Sequence, residues 1–121
     1  MNLDKVIYPE LSYTVNGILY FSHNNLGRFA KEKQHCDLIE LKFKEKNIKY
    51  QREFVVVNTG NRVDFLVEDK IILEAKTVPF ILHEDYYQIQ RYLEILDLEL
   101  GLLVNFRSRY LKPQRVLRRR K

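Results

Sequence analysis

The segment from Val63 to Lys76 reads VDFLVEDKIILEAK and places two apolar runs on either side of a short polar turn. The first run is interrupted by Asp64, and the second ends in Glu74 and Lys76. Apolar runs of this length around a polar turn predict two strands of a hairpin. Because side chains alternate along a strand, Glu74 and Lys76 are expected on the same face.

The register of this hairpin decides whether its acidic residues meet. If Val67 lies opposite Ile71, Asp64 lies opposite Glu74 with the Cβ atoms about 5 Å apart, whereas a slip of one residue sends Asp64 to the other face. Two carboxylates this close raise each other's pKa unless a cation neutralises them, and oxygen ligands favour Mg2+ or Mn2+ over Zn2+. The alternative is a pair of solvated acids beside a lysine.

The rest of the chain changes periodicity in a regular order. Apolar residues at helical spacing predict helices over 10–24, 29–46 and 83–97, and apolar runs predict further strands at 50–57 and 101–106. This order of helix, helix, three strands, helix and strand predicts an α/β fold with a small mixed β-sheet flanked by helices. Glu32, one turn before Cys36 on the inward helical face, is expected to bring a third carboxylate to the core side.

The composition limits the protein class. A chain of 121 residues with 45% hydrophobic and 31% charged residues suits one globular domain, expected over 1–106, and excludes disordered and collagen-like chains. A single cysteine, Cys36, excludes an internal disulfide and a thiolate-cluster metal site. No apolar run approaches the roughly 18 residues that a membrane span needs. The start shows no signal-peptide pattern, and a cytoplasmic protein without membrane contact is expected.

The positive charge is concentrated at the end of the chain. Eight of the 21 basic residues lie in 107–121, which holds no acidic residue, and this leaves 13 basic against 16 acidic residues in 1–106. The segment 107–121 is therefore expected to be a basic C-terminal tail that binds nucleic-acid phosphates. A solvated tail that aids solubility is the alternative. The predicted phosphate contacts are Arg115, Arg118, Arg119, Arg120 and Lys121.

Five positions make the chain similar to a known family. Three acidic residues, a lysine and a glutamine in a predicted helix form the pattern: Glu32, Asp64, Glu74, Lys76 and Gln88. This pattern resembles that of the GxxExxR protein family, which is placed in the PD-(D/E)XK nuclease superfamily. The resemblance covers about residues 11–106, and the hairpin motif is its most specific part. The motif that names the family is incomplete, because Phe29 and His35 stand where it has glycine and arginine.

The resemblance implies a fold and a set of residue roles. The fold is a restriction-endonuclease-like core of helix, three strands, helix and strand. Asp64 and Glu74 would be metal ligands for Mg2+ or Mn2+, with Glu32 as a further ligand, direct or through water. Lys76 would orient the attacking water or hold the phosphate, unless it is an ion-pair partner of Asp64 or Glu74. Gln88 would hydrogen-bond substrate or a ligand, unless it is a surface polar residue.

The implied activity is that of a metal-dependent nuclease that hydrolyses phosphodiester bonds in DNA. A nucleic-acid-binding module or subunit with the same fold that does not cleave is the main alternative, favoured by the incomplete motif. A protein-binding domain with solvated acids is a third interpretation, and it predicts no response to Mg2+. A homodimer is also expected, since a domain of this size has little surface to hold a duplex, although no sequence feature demonstrates it.

Overall fold

Two helices precede the sheet. The computed structural model describes residues 7–119. Helix α1 (Pro9–Leu26) starts with proline in its first turn, where the missing N–H costs no helical hydrogen bond, and it ends at Gly27 with φ +81°. Helix α2 (Glu32–Glu45) begins three residues later than predicted, since the side chain of Gln34 accepts the backbone N–H of Lys31 at 2.8 Å. Residues 27–31 are consequently a loop.

Three antiparallel strands follow, as expected. They are β1 (Tyr50–Val56), β2 (Asn61–Val67) and β3 (Ile71–Lys76). The β2–β3 register places Val67 opposite Ile71, which confirms the predicted hairpin. The turn between these strands uses φ values of +53° at Glu68 and +56° at Asp69, the left-handed conformation that suits the twist of a two-strand ribbon.

A helical crossover completes the mixed sheet. Helix α3 (His83–Leu96) connects β3 to β4 (Leu100–Asn105), which runs parallel to β3. A parallel neighbour requires a crossover of this kind, because a tight turn can only reverse the chain. The five strands lie in the order β1-β2-β3-β4-β5, where β5 (Gln114–Leu117) is antiparallel to β4. The α/β class and the mixed sheet that the sequence predicts are confirmed.

The two sheet faces carry separate apolar clusters. On one face α1 and α2 pack around Phe43 and Phe65, and on the other α3 packs around Tyr92. Tyr92 is 2% exposed, so it packs in the core. Cys36 is buried, and burial raises the pKa of its thiol.

The segment 107–121 differs from the expected tail. Residues 114–117 form the edge strand β5, and Val116 is fully buried in the cluster under α3. The apolar pair Val116 and Leu117 lies within a basic stretch and adds one strand to the sheet, while the flanking residues Arg115 and Arg118 stay at the surface. The expectation that the folded domain ends at residue 106 therefore needs correction for 114–117. Residues 120 and 121 lie outside the described residues.

The contact between α3 and the sheet provides a stability test. A Cβ added at Gly101 would lie 2.6 Å from Cγ2 of Ile89, a β-branched atom that cannot swing away. We expect Gly101→Ala to lower the free energy of unfolding by about 1–3 kcal/mol, measured by urea denaturation. Gly17→Ala is the matched control, since Gly17 lies within α1 with nothing within 4 Å of the added atom. It should raise stability by about 0.5–1 kcal/mol, and equal effects of the two substitutions would contradict this packing.

Candidate active site

The two acidic residues of the hairpin meet where its strands separate. The Cα pairing of β2 with β3 runs from Val67 and Ile71 to Phe65 and Leu73. Beyond it, the backbone N–H of Asp64 donates to Oε1 of Glu74 at 3.1 Å, and the N–H of Ala75 donates to Oδ2 of Asp64 at 2.7 Å. The carboxylates thus take the place of the carbonyl groups that a continuous ladder would offer.

A change of strand face accompanies this separation. In β1, Tyr50 packs with the cluster under α1 and α2, whereas Phe54 packs with the cluster under α3. Regular alternation would put both on one face, so the strand changes face between them, at Glu53 with φ +52°. In β2 the same change occurs between Val63 and Phe65. Asp64 lies at this point, and its charge acts both on Glu32 at the start of α2 and on Glu74 in β3.

The charges in the site disfavour full ionisation. Burial, reinforced by the hydrogen bond to Asp64 and by its charge, raises the pKa of Glu74 from 4.5 to about 8. Glu32 as a whole is exposed, yet its carboxyl is partly screened from water, and this screening and the charge of Asp64 raise its pKa as well. Lys76 acts in the opposite direction on both acids. Without a cation, the site is expected to hold a proton at neutral pH.

Glu32 lies beside the carboxylate pair. It is the first residue of α2 and lines a surface depression of about 280 Å3 with Asp64 and Glu53. Within residues 7–119, no group of three or more His, Cys, Asp or Glu side chains lies close enough to hold a metal ion. Direct ligation by Glu32 together with Asp64 and Glu74 therefore has no support in this part of the chain, and a ligand role for Glu32 through water stays a prediction. The structure brings Asp64 and Glu74 together, and Glu32 lies close enough for the charge of Asp64 to raise its pKa.

The donor set of Asp64 and Glu74 is nevertheless suitable for a hard divalent cation. Mg2+ is usually bound through one or two carboxylates, and water and substrate phosphate complete its six ligands. A cation between these two groups would also replace the proton that burial of Glu74 and the neighbouring Asp64 retain. The pair therefore fits Mg2+ or Mn2+.

Lys76 forms an ion pair with a residue of α3. Its Nζ lies 3.7 Å from Oδ1 of Asp85, whose Oδ2 accepts the backbone N–H of Leu82 at 2.9 Å and caps the helix. The ion pair is therefore with Asp85, whereas the sequence had suggested Asp64 or Glu74 as partners. Sequence reasoning missed Asp85, although an acidic residue three positions after a helix start is a known capping signal.

Gln88 lies on the same helix, on the helical face that carries Asp85 and Tyr92. It is half-buried, one turn after Asp85 and one turn before Tyr92. The charges of Glu74 and Lys76 both act on the pKa of Tyr92, which burial raises most. Gln88 thus lies between Asp85, which pairs with Lys76, and Tyr92, whose pKa is affected by the charge of Glu74.

A comparison with protein families agrees with this geometry. A model of the PD-(D/E)XK nuclease superfamily matches residues 9–119. The chain belongs to the PD-(D/E)XK nuclease superfamily. Members of this superfamily are generally nucleases that typically use Mg2+ or Mn2+. The comparison with curated proteins and with solved structures gave no match.

The superfamily match confirms the expected fold and extends over β5. The three helices and five-strand mixed sheet formed by residues 7–119 are consistent with a restriction-endonuclease-like fold. In the part of this PD-(D/E)XK chain that the structure describes, no helix has both the length and the apolar character that crossing a bilayer demands.

The arginines expected to bind nucleic acid contact the protein itself. Arg115 donates to Oγ of Ser12 and to the carbonyl of Ile7, both at 2.7 Å. Arg118 pairs with Asp97, and Arg119 makes two hydrogen bonds to Glu94. Three of the five predicted residues are engaged in this way, while Arg120 and Lys121 lie outside the described residues.

The position of these arginines also separates them from the acidic pair. Leu117 at the end of β5 pairs with Leu100, whereas Lys76 pairs with Asn105 at the other end of β4. Five residues of strand correspond to about 17 Å. Phosphate binding by Arg118 and Arg119 stays a prediction, and it would require their ion pairs to open.

The raised pKa of Glu74 predicts a pH-dependent stability. The folded state binds this proton more tightly than the unfolded state, so stability is lost as pH rises from 4.5 through about 8. In a chelating buffer, Glu74→Gln should raise Tm by several degrees at pH 9 and by much less at pH 4.5. Glu84→Gln, at an exposed position in the first turn of α3, is the control and should show no such trend. A Tm of Glu74→Gln below the parent at pH 9 would refute the assignment.

Proposed function

We propose that this protein is a metal-dependent nuclease that hydrolyses phosphodiester bonds in DNA, with Asp64, Glu74 and Lys76 at the reaction centre. The observation that supports the proposal is the placement of both carboxylates at the separated ends of β2 and β3, where each accepts a backbone N–H from the opposite strand. A charged pair in this position costs stability unless a proton or cation neutralises it. Within the superfamily, the motif favours membership of the GxxExxR family.

The carboxylates would hold a divalent ion. When bound, Mg2+ or Mn2+ supplies positive charge that lowers the pKa of water and neutralises charge on the phosphoryl group. Asp64 and Glu74 are the direct ligands in this proposal. Their hydrogen bonds from the backbone N–H groups of Ala75 and Asp64 fix their orientation before the ion arrives. Glu32 contributes through a water, since it lies at electrostatic range and not in the contact pair.

Residues on β3 and α3 would act on the substrate. The ammonium group of Lys76 lies on the same face as Glu74 and can donate hydrogen bonds to a phosphate oxygen or to the attacking water. Asp85 restrains that ammonium through the 3.7 Å ion pair. Gln88 is placed one turn along α3, where its amide can donate to substrate.

Three further features belong to the proposal. Arg120, Lys121 and the arginines near β5 would add phosphate affinity outside the reaction centre. The protein would act in the cytoplasm. A homodimer would provide a larger surface for a duplex than one domain of this size.

The activity is tested by nicking of supercoiled plasmid DNA with Mg2+, with Mn2+ and with a chelator. We expect cleavage with either ion and none with the chelator. Glu74→Gln, Asp64→Asn and Lys76→Ala should each lower the rate by at least about 100-fold, comparable to the loss of a transition-state charge contact. Glu84→Gln should cleave at the parental rate.

The outcomes separate the two candidate functions. Because Glu74→Gln is expected to be at least as stable as the parent at neutral pH, its loss of activity cannot be attributed to unfolding. Binding of DNA by the parent with no cleavage under either ion would instead support the non-cleaving module. The incomplete family motif, with Phe29 and His35 at two of its positions, is the observation that favours that alternative.

A further inference from the structure

Three loops meet at the sheet edge where Lys76 lies. Loops 77–82 and 106–113 follow the parallel strands β3 and β4, whose carboxyl ends share an edge. The backbone N–H of Phe106 donates to the carbonyl of Lys76 at 2.9 Å. The side chain of Asn105 donates to the carbonyl of Val78 at 2.8 Å and accepts from the N–H of Val78 at 3.2 Å, which attaches loop 77–82 to the end of β4.

The loop between α1 and α2 joins the same edge. The ring of His35 stacks on Phe106 with centroids 3.9 Å apart, and its Nε2 donates to the carbonyl of Gly27 at 3.2 Å. Nε of Arg28 donates to the carbonyl of Arg107 at 2.9 Å. Loop 27–31, which ends directly before Glu32, is thereby attached to the loop that follows β4.

Large aromatic side chains are exposed on these loops. Phe29 is 75% exposed, Phe80 78% and Tyr110 73%. The guanidinium carbons of Arg28 and Arg107 lie 4.9 and 5.5 Å from the Phe29 ring centroid. Arg109 lies at the same 5.5 Å from the Tyr110 ring. Aromatic rings and guanidinium planes side by side offer several flat surfaces to water.

The charge of these loops is of one sign. The loops at 27–31, 77–82 and 106–113 contain five basic residues and no acidic residue: Arg28, Lys31, Arg107, Arg109 and Lys112. Among residues 7–119, no ion pair joins Arg28, Arg107 or Arg109 to a carboxylate, in contrast to Arg118 and Arg119 at the other edge. The cations available for phosphate therefore lie beside the reaction centre.

We propose that this aromatic and basic loop surface, formed by Arg28, Phe29, Arg107 and Tyr110, binds an unpaired segment of the nucleic-acid strand. Stacked bases inside a duplex cannot lie on an exposed ring, whereas unpaired bases stack on aromatic and arginine surfaces and leave their phosphates to the cations. The inference rests on the proposed nuclease function, which makes a nucleic acid the expected ligand. Phe29 lies three residues before Glu32, and Arg107 two residues after the strand partner of Lys76, so the bound strand leads to Asp64 and Glu74.

The proposal is tested by binding in a chelator, where metal-dependent cleavage cannot interfere. Fluorescence anisotropy of labelled 20-mers of dT and rU and of a 20-base-pair duplex measures the affinity of the full chain. We expect tighter binding of the single strands than of the duplex. Phe29→Ala should weaken single-strand binding about 5- to 100-fold, the range of one lost base stack, and change duplex binding less than about twofold.

Matched variants define the specificity of the effect. Tyr13→Ala removes an aromatic ring that is 81% exposed on α1, outside the loop surface, and should leave both affinities unchanged. Arg107→Ala should reduce the slope of log affinity against log salt by about 0.7, the value for one phosphate contact on a single strand. The measurements with the dT and rU 20-mers show whether the surface binds single strands with deoxyribose or with ribose. Binding to either 20-mer supports the inference.

Two results would overturn the inference, and neither depends on catalysis. One is tighter binding of the duplex than of both single strands by the parent. The other is an unchanged single-strand affinity in Phe29→Ala while circular dichroism shows the parental fold. Should the protein bind single strands through Phe29 yet cleave nothing with Mg2+ or Mn2+, the proposed function fails and the binding surface stands.

Discussion

The close approach of two negative groups, Asp64 and Glu74, is the constraint on which the site depends. Their carboxylates occupy a gap between strands and accept backbone N–H groups that have lost their ladder partners. Such groups would be costly to leave unpaired, so the acids are structurally useful even without a ligand. The same proximity makes their joint ionisation unfavourable, and the site is therefore poised to exchange a proton for a cation.

The gap between the ends of β2 and β3 results from local changes in the strand backbone, and no additional strand or helix is inserted there. Both β1 and β2 change face at neighbouring positions, Glu53 and Asp64, and Glu53 adopts φ +52° where an ordinary strand residue would not. The crossover through α3 then places β4 parallel to β3, so that their carboxyl ends and following loops share one edge. Lys76 is consequently next to the proposed carboxylate ligands, to the α3 residues and to the loop surface.

The sequence predicted most of this arrangement because the deciding signals are local. Alternation around one polar turn sets the β2–β3 register, and this register places Asp64 and Glu74 at the same end of the hairpin. The separation of the strands beyond Phe65 and Leu73, which then decides how the two side chains meet, has no signal in the alternation. Glu32 was predicted on the inward face, and it lies within electrostatic range of Asp64. Its distance from the pair could not be predicted, since helix spacing fixes the direction of a side chain and not its distance from another element. Strand β5 was missed because four residues with one buried valine give little periodicity within a basic run.

Long-range pairing explains the other differences. The arginines after β5 looked free because no acidic residue is near them in sequence, but Asp97 and Glu94 reach them from α3 and its end. Asp85 was missed for the same reason, since its partner Lys76 belongs to another element. Contacts between distant segments depend on topology, which periodicity does not encode.

Calorimetric titration with Mn2+ at pH 7, in two buffers with different ionisation enthalpies, tests the central claim most directly. Because Glu74 retains a proton at this pH, the parent should bind the ion with release of about one proton, and Glu74→Gln should bind at least about tenfold more weakly without that release. Equal affinity and equal proton release in the parent and Glu74→Gln would contradict the account.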